Sequence, residues 1–213
     1  MQSELNVQQI SDGTGPSVHK YYNVSPESPD GSRVVYFRFD DEIPGPGDIV
    51  VHHRGTERHE VVGRVPAARG HSGAFQLWLD DRRIAWLERN DADKESVICD
   101  IESGAMDRLD DAVAAWDRHR GVGLSDDHIR GFDGNPSEKH GVWSVDVDSG
   151  EWTRLVTREE ALALHPEVEG MQLDTLGFKG ASWAPDGSRF FVHLTNAAAW
   201  RRRKDEFPVV KSL

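Results

Sequence analysis

Four short groups of cationic and imidazole side chains stand out as residues that could do chemistry. They are His19-Lys20-Tyr21-Tyr22, His71-Ser72-Gly73, Arg118-His119-Arg120 and Phe178-Lys179-Gly180. Lys and Arg are charge partners for a carboxylate, and His is a proton carrier or metal ligand. The candidate ligand-binding residues are His19, Tyr21, His71, Gln76, Lys179 and Arg202, the last from the basic run Arg201-Arg202-Arg203-Lys204. Together they suit an acidic ligand, although most such groups in proteins are solvated loop residues. No catalytic residue and no metal-ligand set is assigned, so the cofactor is left open.

Other residues carry less. His52 and His53 are neighbours on a strand, point to opposite faces and cannot chelate together. Ten histidines are present, but no HxH or HxxxH pair occurs. Gly121-Val122-Gly123 lacks the Lys-Ser/Thr and helix start of a phosphate loop. No nucleophile motif surrounds any serine. Cys99, the single cysteine, lies beside Val97 and Ile98 and reads as an inert thiol. It excludes an internal disulfide and fits a reducing compartment.

The chain holds 25 Lys and Arg against 37 Asp and Glu, a formal net charge of −12. That balance argues against a nucleic-acid or anionic-membrane partner, since phosphate binding is driven by Lys and Arg. The first residues show no basic stretch followed by an apolar run, and no apolar run approaches the ~20 residues of a membrane span. A soluble, cytoplasmic protein is expected.

The elements that must position these groups come from a repeated turn. Ser28-Pro29-Asp30-Gly31-Ser32-Arg33 leads into Val34-Val35-Tyr36-Phe37, and Ala184-Pro185-Asp186-Gly187-Ser188-Arg189 leads into Phe190-Phe191-Val192-His193. Proline presets φ, Asp bonds its own backbone and Gly accepts positive φ, so each copy predicts a tight hairpin. Asp80-Asp81-Arg82-Arg83 and Ser125-Asp126-Asp127 read as degenerate copies. Taking Asp30, Asp81, Asp126 and Asp186 as equivalent gives spacings of 51, 45 and 60 residues.

Further hairpins follow. Asp48–His52 pairs with His59–Val62, Ser96–Asp100 with Ala105–Leu109, and Gly141–Asp146 with Glu151–Leu155. The stretch from Met106 to Trp116 is open between a helical turn and a fourth strand with a linker.

Antiparallel four-stranded units at this period predict an all-β fold, a β-propeller. Three complete blades and a partial fourth are expected, forming an incomplete ring. Residues 1–18 read as an N-terminal extension and 19–213 as propeller. Blade 1 falls at about 19–64, blade 2 at 71–109 and blade 3 at 118–156. A helical insertion at about 157–165, capped by Thr157 and stopped by His165-Pro166, precedes partial blade 4 at 178–213. The cationic groups then lie where each innermost strand begins, at one mouth of the channel. The chain reads as the N-terminal part of a larger propeller; a compact four-blade ring, with residues 1–18 supplying an outer strand, is the rival.

On these residues the chain resembles the TolB-like, WD40-like propeller repeats, whose blades carry the Ser-Pro-Asp-Gly-Ser/Lys-Arg turn. More narrowly, Val18-His19-Lys20-Tyr21-Tyr22-Asn23 followed by the first turn resembles the opening blade of the oligogalacturonate lyases. That resemblance implies a cytoplasmic enzyme cleaving uronate oligosaccharides by β-elimination, with a histidine base and a manganese ion held by His and Gln. The manganese would belong to a full-length lyase, because the His-Pro-His motif of that family's later blades does not occur in this sequence. Only His19 carries over from the family's functional positions. The partner implied is an anionic oligosaccharide; the alternative is a non-catalytic propeller binding a protein or glycan.

Overall fold

In a computed structural model of the chain, both copies of the repeated turn close with the same hydrogen bonds. Ser28 N–H donates to the Arg33 carbonyl (3.0 Å) and Gly31 N–H to that of Ser28 (2.9 Å). Ala184 and Gly187 repeat this pattern at 2.8 and 2.9 Å. Asp30 Oδ1 accepts from the N–H and hydroxyl of Ser32 (2.9 and 2.8 Å), as Asp186 Oδ1 does from Ser188 (3.0 and 2.7 Å). Gly31 and Gly187 take the left-handed backbone each turn requires, at φ +73° and +65°.

The Ser28 hydroxyl, then the Ser32 N–H and hydroxyl, hold the Asp30 carboxyl down at about 2 against an ordinary 3.8. A depressed carboxyl adds stability above its unfolded value that is lost as pH falls toward the folded one. Asp30→Asn is therefore expected to flatten the pH dependence of the urea midpoint between about pH 4 and 2. An unchanged slope would show that this carboxylate takes no part in acid unfolding.

The structure describes residues 7–21, 24–89, 94–113, 115–117, 122–126, 140–164, 176–184 and 186–196. The chain divides into two units, Met1–Asp110 and Asp111–Leu213. In the first, β1 (Ser17–Val18), β2 (Arg33–Phe39), β3 (Gly45–His53) and β4 (Arg58–Ala68) form one antiparallel sheet in sequence order. A second sheet follows the same order with β5 (Leu77–Trp78), β6 (Arg83–Arg89), β7 (Lys94–Asp100) and β8 (Met106–Leu109). The second unit holds β9 (Ala115–Asp117), β10 (Val122–Ser125), β11 (Val142–Asp146) and β12 (Trp152–Val156) in one sheet, and β13 (Leu176–Trp183) with β14 (Phe190–Asn196) in another. Helix α1 (Arg158–Ala163) stands between them. Its capping box joins Glu160 N–H to Thr157 Oγ1 (3.1 Å) and Thr157 N–H to Glu160 Oε2 (2.8 Å). The fold is all-β and propeller-type, built of meandering antiparallel blades.

The hairpins joining the third and fourth strands carry a second repeat. Asp100 N–H donates to the Ala105 carbonyl and Gly104 N–H to that of Asp100; Asp146, Glu151 and Gly150 do the same. In each loop the carboxylate of the leading Asp accepts the N–H of the serine three residues on, at 3.0 and 2.8 Å. Both glycines sit at φ +72°.

Alternation along β2, β3, β6 and β7 sends Val35, Phe37, Phe39, Ile49, Val51, Trp86, Val97 and Cys99 into one core of the first unit. Gly63 of β4 meets this core directly, for a Cβ there would stand 2.7 Å from the Trp86 ring. Burial pushes the Cys99 thiol up, as befits an inert core group. Trp78 ties the two blades by donating to the Pro26 carbonyl (2.8 Å).

Several expectations are corrected. β1 lies within the segment read as an extension, and Pro16 accepts the Phe39 N–H (2.8 Å), so blade 1 begins before residue 19. In blade 2 the turn residue is Asp80, whose Oδ1 accepts the Arg82 N–H (2.8 Å); Asp81 instead accepts the Asp30 N–H of blade 1 (2.8 Å). The loop is one residue shorter than its blade 1 counterpart, which shifts the equivalence by one. In blade 3 the run Val122–Ser125 is the second strand, and Ala115–Asp117 is the first. Asp126 is no turn residue: it is 1% exposed and accepts the Ala181 N–H of β13 (2.8 Å) where Gly180 bulges the strand. Met106–Leu109 ends blade 2, which resolves the stretch left open above. The expected stop at His165-Pro166 and the strand expected at 209–213 lie outside the described residues.

Candidate functional site

In the first unit, the break after β1 and the loop from β4 to β5 bring the candidate side chains of blades 1 and 2 together. Tyr21 and His71 meet edge-to-face, with ring centroids 5.8 Å apart. Tyr21 is 45% exposed and His71 is also exposed. Beside them, the Lys20 ammonium lies 6.0 Å and the Arg69 guanidinium 5.3 Å from the centroid of Phe75. Lys20 is only 3% exposed, so its stem is packed while its charge is held against an aromatic ring.

The loop that presents Arg69, His71 and Phe75 is rigidly closed. Arg69 N–H donates to the Gly73 carbonyl (3.0 Å) and Gly73 N–H to that of Arg69 (2.9 Å). Phe75 sits at φ +58°, a left-handed conformation that costs a non-glycine residue about 1 kcal/mol or more. That conformation aims the ring at the two cations before β5 begins.

Gln76 has a different task from the one expected. It is 1% exposed, its Nε2 donates to the Val18 carbonyl (3.1 Å) and its Oε1 accepts the Ala74 N–H (3.2 Å). The amide clamps blade 2 onto β1 and is not a ligand-facing group. His19 follows β1 directly and is exposed. Lys179 belongs to the second unit, within β13 opposite His193 of β14. Arg202 and the Arg118-His119-Arg120 group lie outside the described residues. Arg69 and Phe75 were missed in the sequence; the Gly70 and Gly73 flanking the loop were the available signal, but not its aim.

The paired histidines of β3 also part company. His53 meets Glu60 Oε2 at 3.0 Å, whereas His52 turns to the other face and stacks on His59 of β4 with centroids 4.7 Å apart. Burial pushes the His52 imidazole below its ordinary value. Among the described residues no three His, Cys, Asp or Glu side chains already stand so as to hold a metal ion. Gln76, the glutamine among the candidate residues, spends its amide on Val18 and Ala74, so the candidate residues do not fit the His-and-Gln manganese centre that the lyase resemblance implies.

Antiparallel blades whose strands follow one another in sequence order define the class as an all-β, propeller-type fold. Among solved structures the chain is similar to TolB from Acinetobacter baumannii, at 15% identity and a TM-score of 0.50, over 86% of this chain and 42% of that one. It is also similar to a prolyl endopeptidase (13% identity, TM-score 0.44, 78% of this chain and 25% of that one). A third is an oligogalacturonate lyase in complex with manganese (14%, TM-score 0.41, 87% and 49%). The chain thus spans less than half of each of these proteins, and identities so low show the fold alone. No protein-family model and no curated protein matches the chain. Among the described residues no helix is long and apolar enough to cross a membrane.

Proposed function

We propose that the loop face of blades 1 and 2 binds a carboxylate-bearing ligand, an anionic oligosaccharide of uronate units. The observation that carries this is the convergence of Lys20 and Arg69 on the Phe75 ring, beside Tyr21 and His71. A uronate offers a carboxylate to the guanidinium and a C–H face to an aromatic ring. On a chain of net charge −12 the local cations of this face mark a docking place for such a ligand. The finer reading is a lyase-like propeller acting by β-elimination, with its metal site supplied outside this chain. The exposed imidazoles of His19 and His71 are the groups of this face able to take a proton.

Titrating the full chain with trigalacturonate and with neutral maltotriose, followed by tryptophan fluorescence or calorimetry, tests the binding reading. Trigalacturonate is expected to bind and maltotriose not. Arg69→Ala should weaken binding by about tenfold or more, the scale of one charge-assisted hydrogen bond. Equal affinity for the two sugars, or full affinity in Arg69→Ala, would sink it. Ultraviolet absorbance from an unsaturated product would separately register elimination.

A further inference from the structure

His52 is a buried imidazole with nothing to bond. It is 1% exposed, and neither ring nitrogen has a hydrogen-bond partner. An unpaired buried polar group is costly, and a place for an ion or water is a standard reason for one to persist. Its surroundings favour an ion. His59 pairs with it across β3 and β4, the two rings tilted by 34° at 4.7 Å. The Tyr36 hydroxyl, itself accepting the Asp12 N–H (3.3 Å), lies 3.0 Å from His59 Nδ1. With Nδ1–H donating to that hydroxyl, His59 Nε2 is left as a lone-pair donor, the arrangement in which an outer partner fixes a metal ligand's tautomer.

A carboxylate completes the set. Glu57 Oε2 lies 3.8 Å from His52 Nε2, close to the ~3.4 Å between two donors of one tetrahedral zinc ion. Glu57 holds a left-handed backbone, φ +53°, in the β3–β4 hairpin. Its side chain is 62% exposed and so able to swing, and Gln8 Nε2 donates to the same oxygen (3.3 Å). We propose that His52, His59 and Glu57 form a site for a borderline divalent transition ion, with Tyr36 as the positioning residue behind His59. Two imidazoles and one carboxylate favour zinc, copper or nickel over magnesium or calcium. The site lies on the outer strands of blade 1 and uses none of the residues of the anionic-ligand face.

The probe is Zn²⁺ alone, added to the full chain and followed by calorimetry, with Co²⁺ absorption as a coordination readout. A single tight Zn²⁺ and a tetrahedral Co²⁺ spectrum are expected. His59→Gln and Glu57→Gln should each weaken binding by about tenfold or more, and Tyr36→Phe by about tenfold. His19→Ala and His71→Ala should leave it unchanged, which separates this site from adventitious surface histidines. His52→Phe tests the buried ligand, while the half-buried His59 and exposed Glu57 keep the test valid should that variant fail to fold. The proposal is overturned if the full chain takes up no Zn²⁺ at micromolar concentration. It is equally overturned if His59→Gln and Glu57→Gln bind as the unaltered chain does.

Discussion

Trp86→Ala is expected to destabilise the first unit by about 3–5 kcal/mol, the largest loss from any single core truncation proposed for this chain. Trp86 is 2% exposed and sits in the cluster where the facing surfaces of blades 1 and 2 meet. Its ring lies on Gly63 of β4, so its loss opens a cavity between blades that the sheets cannot close by shifting one side chain. Against a total of about 5–15 kcal/mol for a typical domain, much of the unit's stability would go. The complementary change is Gly63→Ala, whose Cβ would stand 2.7 and 2.9 Å from two ring atoms and should cost about 1–3 kcal/mol by overpacking. Combining Gly63→Ala with Trp86→Leu should recover part of that cost, because the smaller side chain makes room. Urea unfolding of the unaltered chain, Gly63→Ala, Trp86→Leu and the double variant gives the coupling directly. A loss under about 1 kcal/mol in Trp86→Ala would mean that the blades do not rely on this contact.

Gly73→Ala should damage both stability and ligand binding. Gly73 is at φ +55°, where an L side chain is strained by about 1–2 kcal/mol. An added Cβ would also stand 2.6 Å from Phe37 Cβ and 2.8 Å from Gln76 Oε1. Neither neighbour can give way: Phe37 is fully buried, and Gln76 is tied to two backbone groups. The loop must therefore move, and Gly73 exchanges both of its backbone bonds with Arg69. The expected cost is about 2–4 kcal/mol, with trigalacturonate affinity falling as far as in Arg69→Ala. Binding is to be measured at a temperature where circular dichroism shows the variant folded. Folded protein that binds with full affinity would show that this loop does not position Arg69.

The two predictions differ in what the sequence could have told. The alternation of Val35, Phe37 and Phe39 marks a strand, and a buried tryptophan at Trp86 follows from its apolar neighbours. That Gly63 is the residue beneath the indole does not follow, because glycine in a strand leaves no periodic trace. In the same way, His71 and Tyr21 are visible as candidates, whereas their meeting depends on where the β4–β5 loop lands. Gln76 looked like a ligand group; it is spent on Val18 and Ala74, partners 58 and 2 residues away.

The sequence by itself determined the turns. Ser28 to Arg33 and Ala184 to Arg189 close through bonds among residues at most five apart, so the same letters give the same geometry wherever they occur. The Asp100 and Asp146 hairpins obey the same rule. Only the tertiary structure decided the third blade's register and the aim of the candidate side chains. Ser125-Asp126-Asp127 carries turn chemistry, yet the Asp126 carboxylate is taken by Ala181 of another strand. The physical reason is reach. A turn is satisfied by its own backbone, but a strand's pairing and a polar side chain's partner depend on groups that only folding brings near. The cations at Lys20 and Arg69 become a candidate site because the loop between β4 and β5 carries Arg69 and Phe75 to Lys20.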